Sequence, residues 1–381
     1  MEKREVIVIG GGIIGLSAAY ELAKAGRQVT VLEKEKLLGS GSTGLCAGGI
    51  RQQFTTDVNI ALSRESVKEF ERLGTELGCR FEFLQRGYLF FTHRPSQLEA
   101  MKVNAAIQQK NDIPVEVVGG DEIRRRWGYC TADDVIGGTF CPKDGYCDPH
   151  EAVQGYAAKI KELGGEILTR VPVTGIKVSG GRVVSVETPQ GALGCAWLIN
   201  AAGPYAGEVG KMAGLAVPVV PVRRHLFVTE PLEEIPEESP MTIDSATGLY
   251  FRKESRGLMI GLARQDEPAG FNFEVDWDWL EHMVNTAVAR VPRLEEKGIV
   301  KSWSGMYEVT PDHHPILGPA PACPNFLLAC GFSGHGFMHA PAVAKVVKEF
   351  ITEGRARTVD VSCLGLSRFA EGKLVHERAV I

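Results

Sequence analysis

The chain has 381 residues, too many for one ordinary hydrophobic core, so two domains are expected. With 44% hydrophobic and 23% charged residues, its composition is that of a globular protein rather than a disordered or fibrous one. A net charge of −5 leaves no basic face for nucleic acid, and no apolar stretch reaches membrane-spanning length.

The first element is the run Val6 to Ile9, as expected of a strand buried on both faces. Gly10-Gly11-Gly12-Ile13-Ile14-Gly15 follows, and then Leu16, Ala19, Leu22 and Ala23 recur at helical spacing up to Gly26, a left-handed C-cap. A second strand, Val29 to Leu32, ends in Glu33. The glycine spacing alone is weak evidence. Set between a strand and a helix, with an acid about 20 positions on, it reads as a dinucleotide cradle. Gly10, Gly12 and Gly15 let backbone approach a pyrophosphate, while the helix start at Ile13 and Ile14 supplies amide donors. Glu33 suits a ribose diol and repels a 2′-phosphate, which disfavours NADP. Met1 to Arg4 also begin like a secretory signal, but four glycines inside the would-be apolar core argue against that.

Gly39 to Gly44 form a hydroxyl-bearing loop, and residues 57 to 77 read as one amphipathic helix. Gly87 to Phe91 are a strand, and helices are expected over Pro95 to Gln109 and Glu151 to Leu163. Strands at 167–168, 171–178 and 183–186 follow, the last two joined by a hairpin at Gly180-Gly181. Trp197 to Asn200 are an apolar strand stopped by Ala201-Ala202-Gly203, a place where cofactor can lie close to backbone. From 218 to 303 strands alternate around one helix near Trp277 to Arg290, as in a separate antiparallel layer. These features describe an α/β chain with α+β character. A discontinuous Rossmann-like cofactor domain (1–84, 144–217, 304–381) carries an inserted antiparallel-sheet substrate domain (85–143, 218–303). The nine cysteines are scattered and odd in number, with no metal-ligand spacing, so no metal and a reducing cytoplasm are expected.

Near the end, Gly331-Phe332-Ser333-Gly334-His335-Gly336-Phe337 leads into the helical run Val343 to Ile351, with Pro341 in its first turn. Pointed at a flavin, that helix start would favour the charge gained on reduction. On spacing alone, a tight turn before a surface helix fits equally well.

Several blocks in order carry a resemblance: Gly39-Ser40-Gly41-Ser42-Thr43, Gly49-Ile50-Arg51-Gln52-Gln53-Phe54, Gly87-Tyr88-Leu89-Phe90, Asp144-Gly145-Tyr146-Cys147-Asp148-Pro149, Trp303 to Tyr307, Thr310-Pro311-Asp312 and Gly331 to Phe337. On them the chain resembles the D-amino-acid oxidase-like FAD superfamily along nearly its whole length. Within it the chain is similar to the β subunit of dye-linked L-proline dehydrogenase and to sarcosine oxidases. The resemblance implies FAD, with Glu33, Lys34 and Val173 at the adenosine and Gly10, Gly12, Ser42 and Thr43 at the pyrophosphate. Gly49, Ile50, Gly305, Gly334, His335, Gly336, Phe337 and Met338 would surround the ring.

The resemblance also implies a catalytic set of Arg51, Tyr307, His335, Met259 and Met338. Arg51 falls where sarcosine oxidase-like members clamp the substrate carboxylate, a task suited to a planar guanidinium. Tyr307 matches a tyrosine that donates to the same carboxylate, and it stands where glycine oxidases carry their arginine. Met259 and Met338 replace two lysines of monomeric sarcosine oxidase, which favours an acceptor other than oxygen. The flavin-tethering positions are Gly305 and Leu45, so FAD is expected to be non-covalent. His150 lies where heterotetrameric sarcosine oxidase holds FMN at a subunit interface, and it equally reads as a helix-cap neighbour.

The expected reaction is oxidation of a small secondary amino acid, such as proline or sarcosine. Hydride would pass from Cα or an N-alkyl carbon to flavin N5, giving an imine. Glycine or D-amino-acid oxidation, an electron-transferring β-like subunit and an NAD-linked dehydrogenase are the alternatives. An α-type partner subunit or a homo-oligomer is the expected assembly.

Overall fold

The strand Glu2–Ile9, fully buried from Val6 onward, pairs in parallel with Gly191–Asn200 on one side and Val29–Glu33 on the other. A computed structural model describes residues 2–130 and 133–379. Beyond Gly191–Asn200 the sheet continues with Cys323–Cys330, in parallel, and then Ile316–Ala320, antiparallel; Glu166–Thr169 closes the opposite edge. The hairpin Gly175–Ser179/Arg182–Thr188 branches from Gly191–Asn200. Parallel neighbours require crossovers, so distant stretches of chain meet in this one sheet. Helices Ile13–Lys24 and Gly336–Glu353, over three hundred residues apart, pack against each other in its core.

The second sheet runs Ile299–Val309, Val220–Thr229, Gly257–Leu262, Leu249–Glu254, Met241–Asp244, Tyr88–Thr92, Gly137–Cys141, Glu116–Gly119. Its pairings are antiparallel except that of Met241–Asp244 with Tyr88–Thr92. Helix Trp277–Arg290 buries Leu280, Met283 and Ala287 in its core. Ile299–Val309 runs unbroken through residue 304 and pairs with Val220–Thr229 up to Val309.

Three elements depart from the sequence reading. The helix expected over 57–77 is two, Asp57–Phe70 and Leu73–Leu77. Val67, Phe70, Leu73 and Leu77 are all buried and keep helical spacing across the break, so periodicity cannot reveal it. The strand expected from 171 begins only at Gly175, because Val171 instead donates its amide to the Glu33 carbonyl at the end of a sheet strand. Pro341 is the sixth residue of helix Gly336–Glu353 and not in its first turn: the glycine-rich segment already turns helical at Gly336. Its missing N–H removes the partner of the Phe337 carbonyl. Among the described residues no helix is long and apolar enough to cross a membrane.

Candidate cofactor and substrate site

The cradle is a set of close backbone approaches. Gly10 has φ +111°, and a Cβ there would stand 2.3 Å from the Ala201 carbonyl oxygen. A Cβ on Gly15 would lie 2.0 Å from the Gly10 carbonyl. The Thr43 hydroxyl accepts from the Ile13 amide at 3.1 Å, which fixes the hydroxyl loop over the helix start. Glu33 accepts from the Gly11 amide at 2.6 Å and the Glu35 amide at 2.8 Å, so its carboxylate is aligned before any ligand arrives. Lys34 lies 3.9 Å over the Tyr205 ring. All of these but Gly11 and Gly15, which pack behind the wall, line a cleft of about 350 Å³ running from Glu33 past Gly10, Gly12, Ser42, Thr43 and Ala201 to Gly203, and on to Gly334, Gly336 and Phe337. A long cleft walled by glycine backbone at both ends, with an acid at one and a helix N-terminus at the other, fits an extended dinucleotide.

At its far end the cleft meets a smaller pocket of about 90 Å³, the two sharing Ser42, Cys46, Met306, Tyr307, Gly334 and Phe337. Arg51, Tyr88, Arg224, Tyr250, Gly49, Gly305, His335 and Met338 complete its polar and reactive wall. Glycines shape it. A Cβ on Gly334 (φ +94°) would stand 2.3 Å from the Tyr307 ring, and one on Gly261 would stand 2.2 Å from the Tyr250 ring.

Arg51 is buried. Its guanidinium donates to the carbonyls of Gln53 and Ala379 and sits 4.1 Å over the Phe54 ring. Asp144 holds the following residues, accepting from the Gln52 amide at 2.9 Å and from both glutamine side chains. Burial lowers the Arg51 pKa and drives those of His335 and His339 well down, the latter to about 3, with the Arg51 charge adding to both. Burial raises the Tyr307 phenol, opposed by Arg224. Burial also lifts Glu308, which lines the cofactor cleft, to about 7, against hydrogen bonds from the Gly331 and Phe332 amides.

The structure brings Arg51, Tyr307, His335 and Met338 to one pocket. It does not bring Met259 there: that side chain lines a third cleft of about 660 Å³ together with His150, because it lies farther along the same strand face, paired with Val228 and Arg252, while Gly261 is the residue paired with Leu226 and Tyr250 at the pocket. Val173 packs against the core cluster beside Ala202 rather than lining the cleft. Ile50 is fully buried in a two-residue ribbon with Gly145–Tyr146, behind the pocket wall. Arg224, Tyr250, Tyr88, Met306 and Cys46 were not foreseen. For Arg224 a signal existed: in Val220–Thr229 period-two alternation puts it on the face of Leu226, opposite Arg223 and His225.

A family model described as FAD dependent oxidoreductase, DAO, matches residues 5–350. The chain is 32% identical over 374 residues to mitochondrial dimethylglycine dehydrogenase of Rattus norvegicus, covering 93% of this chain and 43% of that protein. It is 30% identical over 388 residues to mitochondrial sarcosine dehydrogenase of Homo sapiens, covering 98% and 42%. It therefore spans less than half the length of these relatives. L-proline dehydrogenase from P. horikoshii superposes with a TM-score of 0.92 at 33% identity, over 98% of this chain and 100% of that one. Glycine oxidase from Geobacillus kaustophilus shares the fold, with a TM-score of 0.87 at 22% identity over 97% and 99%.

Proposed function

The chain belongs to the DAO family of FAD-dependent oxidoreductases, and from that premise we propose that it oxidises a small amino acid with a substituted nitrogen, such as proline, sarcosine or dimethylglycine. One observation carries the reading: a buried guanidinium, Arg51, lines a small pocket that opens on the cofactor cleft and, among the described residues, has no acid in its wall. Arg51 and Tyr307 hold the carboxylate; the apolar side chains of Leu226, Met241 and Met338 exclude water around the rest of the substrate. Bound FAD supplies the two-electron acceptor. Gly10, Gly12, Thr43 and Glu33 hold its nucleotide end, and the N-terminus of helix Gly336–Glu353 faces its ring end.

FAD is held without a covalent bond. A Cβ on Gly305 would lie 3.0 Å from the Leu45 Cβ, so the two tethering positions of relatives meet here with no nucleophile between them. The neighbouring Cys46 is kept as a thiol, burial raising its pKa to about 11. Anaerobic addition of proline, sarcosine, dimethylglycine, glycine and D-amino acids to the loaded protein tests the reading. Bleaching by the N-substituted compounds is expected; a flavin that dithionite reduces but no amino acid bleaches would sink it.

A second reading, electron delivery to a partner subunit through FMN, rests on the third cleft. It is lined by His150, Arg86, Arg252, Lys253, Arg256 and Lys301, whose charges outnumber those of Asp148, Glu237 and Glu254 in the same wall, and it reaches Cys46, which also lines the FAD cleft. Val300 on its rim is 61% exposed, as a docking edge would be. Flavin extracted from protein co-expressed with its partner should contain FMN beside FAD, and His150→Ala should lower the FMN alone.

A further inference from the structure

Among the described residues the substrate pocket is lined by two guanidinia and no carboxylate. Arg51 is engaged by two backbone carbonyls and the Phe54 ring. Arg224, across the pocket, is engaged far less. Among the described residues its one hydrogen bond runs from Nη1 to the carbonyl of Arg223 at 2.9 Å, and its Nε is sealed from solvent with no partner. By contrast Arg223, on the opposite face of the strand, and Arg264 are paired with acids. Arg223 lies 2.7 Å from Glu267 and 3.4 Å from Asp276, and Arg264 takes Asp276 at 2.8 Å. Among the described residues Arg224 has no such ion pair. It rests instead over the Tyr307 ring, at 5.1 Å from the centroid, opposite Gly305 in the adjoining strand.

Two like charges facing one small, partly desolvated space repel in the unliganded protein. A ligand with two acid groups reverses the sign of that interaction, and a buried donor left unpaired penalises ligands that cannot reach it. We infer that Arg224 is a specificity-determining residue that binds a second carboxylate, so that the favoured substrate is a compact N-substituted dicarboxylic amino acid. Arg51 takes one acid group and Arg224 the other. The inference rests on amino-acid oxidation as the proposed function, and names the substrate class of that same site.

Binding and turnover are measured separately. FAD-loaded wild type, Arg224→Gln and Arg224→Lys are titrated with unreactive acetate, propionate, malonate and succinate, read by the visible absorbance change of the oxidised flavin. Sarcosine and proline are then compared as substrates with iminodiacetate and N-methylaspartate. Wild type is expected to bind diacids at least about tenfold more tightly than monoacids, the size of one charge-assisted hydrogen-bonded contact. Arg224→Gln should abolish that preference while changing monoacid binding no more than about threefold, and Arg224→Lys should restore part of it. In turnover the loss should appear mainly as a raised KM for the dicarboxylates. Equal wild-type affinity for mono- and diacids overturns the inference, as does an equal loss of both in Arg224→Gln. Should Arg224→Gln fail to retain FAD, Arg224→Lys decides by the same ratio. Diacid-selective binding without flavin reduction by any amino acid removes the proposed reaction and leaves the anion site standing.

Discussion

The Nη2 of Arg51 lies 3.3 Å from the Nε2 of His335, and the Phe54 ring packs against both side chains. Burial first, and the arginine charge second, hold His335 neutral. A neutral imidazole accepts from the guanidinium through Nε2, so the ring steadies the arginine without cancelling its charge.

From that arrangement Arg51→Ala should lose the carboxylate anchor and leave a hole beside two neutral histidines. The rate of anaerobic flavin reduction divided by the substrate dissociation constant should fall by about a hundredfold, with Arg51→Lys intermediate because an ammonium cannot form the fork. Stopped-flow reduction measures it. Unchanged reduction by the alanine variant would take Arg51 out of the site.

The cradle allows a structural test. In Gly10→Ala the new methyl would meet the Ala201 carbonyl at 2.3 Å, in a backbone conformation that alanine avoids. The strand end must shift, and FAD affinity should drop by at least about tenfold. The ratio of visible to ultraviolet absorbance in the purified protein reads this directly. Full flavin content would contradict the placement of the pyrophosphate.

The C-terminal segment folds back on the pocket. Glu377 accepts from the Thr55 hydroxyl at 2.6 Å, the Thr56 hydroxyl at 2.9 Å and the Asn59 amide at 3.0 Å, two residues before the Ala379 carbonyl that meets Arg51. Glu377→Ala strands these donors and should cost about 2–4 kcal/mol in urea unfolding. Loss of less than about 0.5 kcal/mol would show that the segment is not anchored there.

Stability should depend on pH through buried groups of opposite sign. Glu308 is raised from 4.5 to about 7 and Asp144 from 3.8 to about 6, both by burial. In those windows the folded chain keeps protons that the unfolded chain has released, so stability is lost as pH rises through them. His339 is lowered from 6.5 to about 3, so the unfolded chain alone binds a proton there and stability is lost as pH falls below 6.5. The two windows overlap between 4.5 and 6.5, where the effects oppose each other, so the contribution of Glu308 is isolated by comparing the thermal melting of wild type with that of a variant. Glu308→Gln should raise the midpoint on the alkaline side more than on the acid side, and a uniform shift would refute the assignment.

The nucleotide end of the site was legible because its signals are local. A strand, three glycines, a helix and an acid lie within the first 33 residues, and a glycine's tolerance for close approach is written in its own lack of a Cβ. The break after Phe70 and the early start of the last helix were not legible. In the first case the buried spacing continues across the break, and in the second a proline sits six residues into a helix.

By itself the chain of letters determined the dinucleotide cradle, the presence of a second antiparallel layer and the residue types from which an acid-binding site could be made. Only the folded molecule decided which of them meet. Arg51 and Arg224 are 173 positions apart, on different elements, and nothing in either neighbourhood predicts their facing one pocket. Met259, equally apolar and on the same face of its strand as Gly261, was carried by register two residues farther along, beside Val228 and Arg252, into a different cleft. Side-chain direction in a sheet depends on register and pairing, and those are settled by long-range contacts that no local pattern contains.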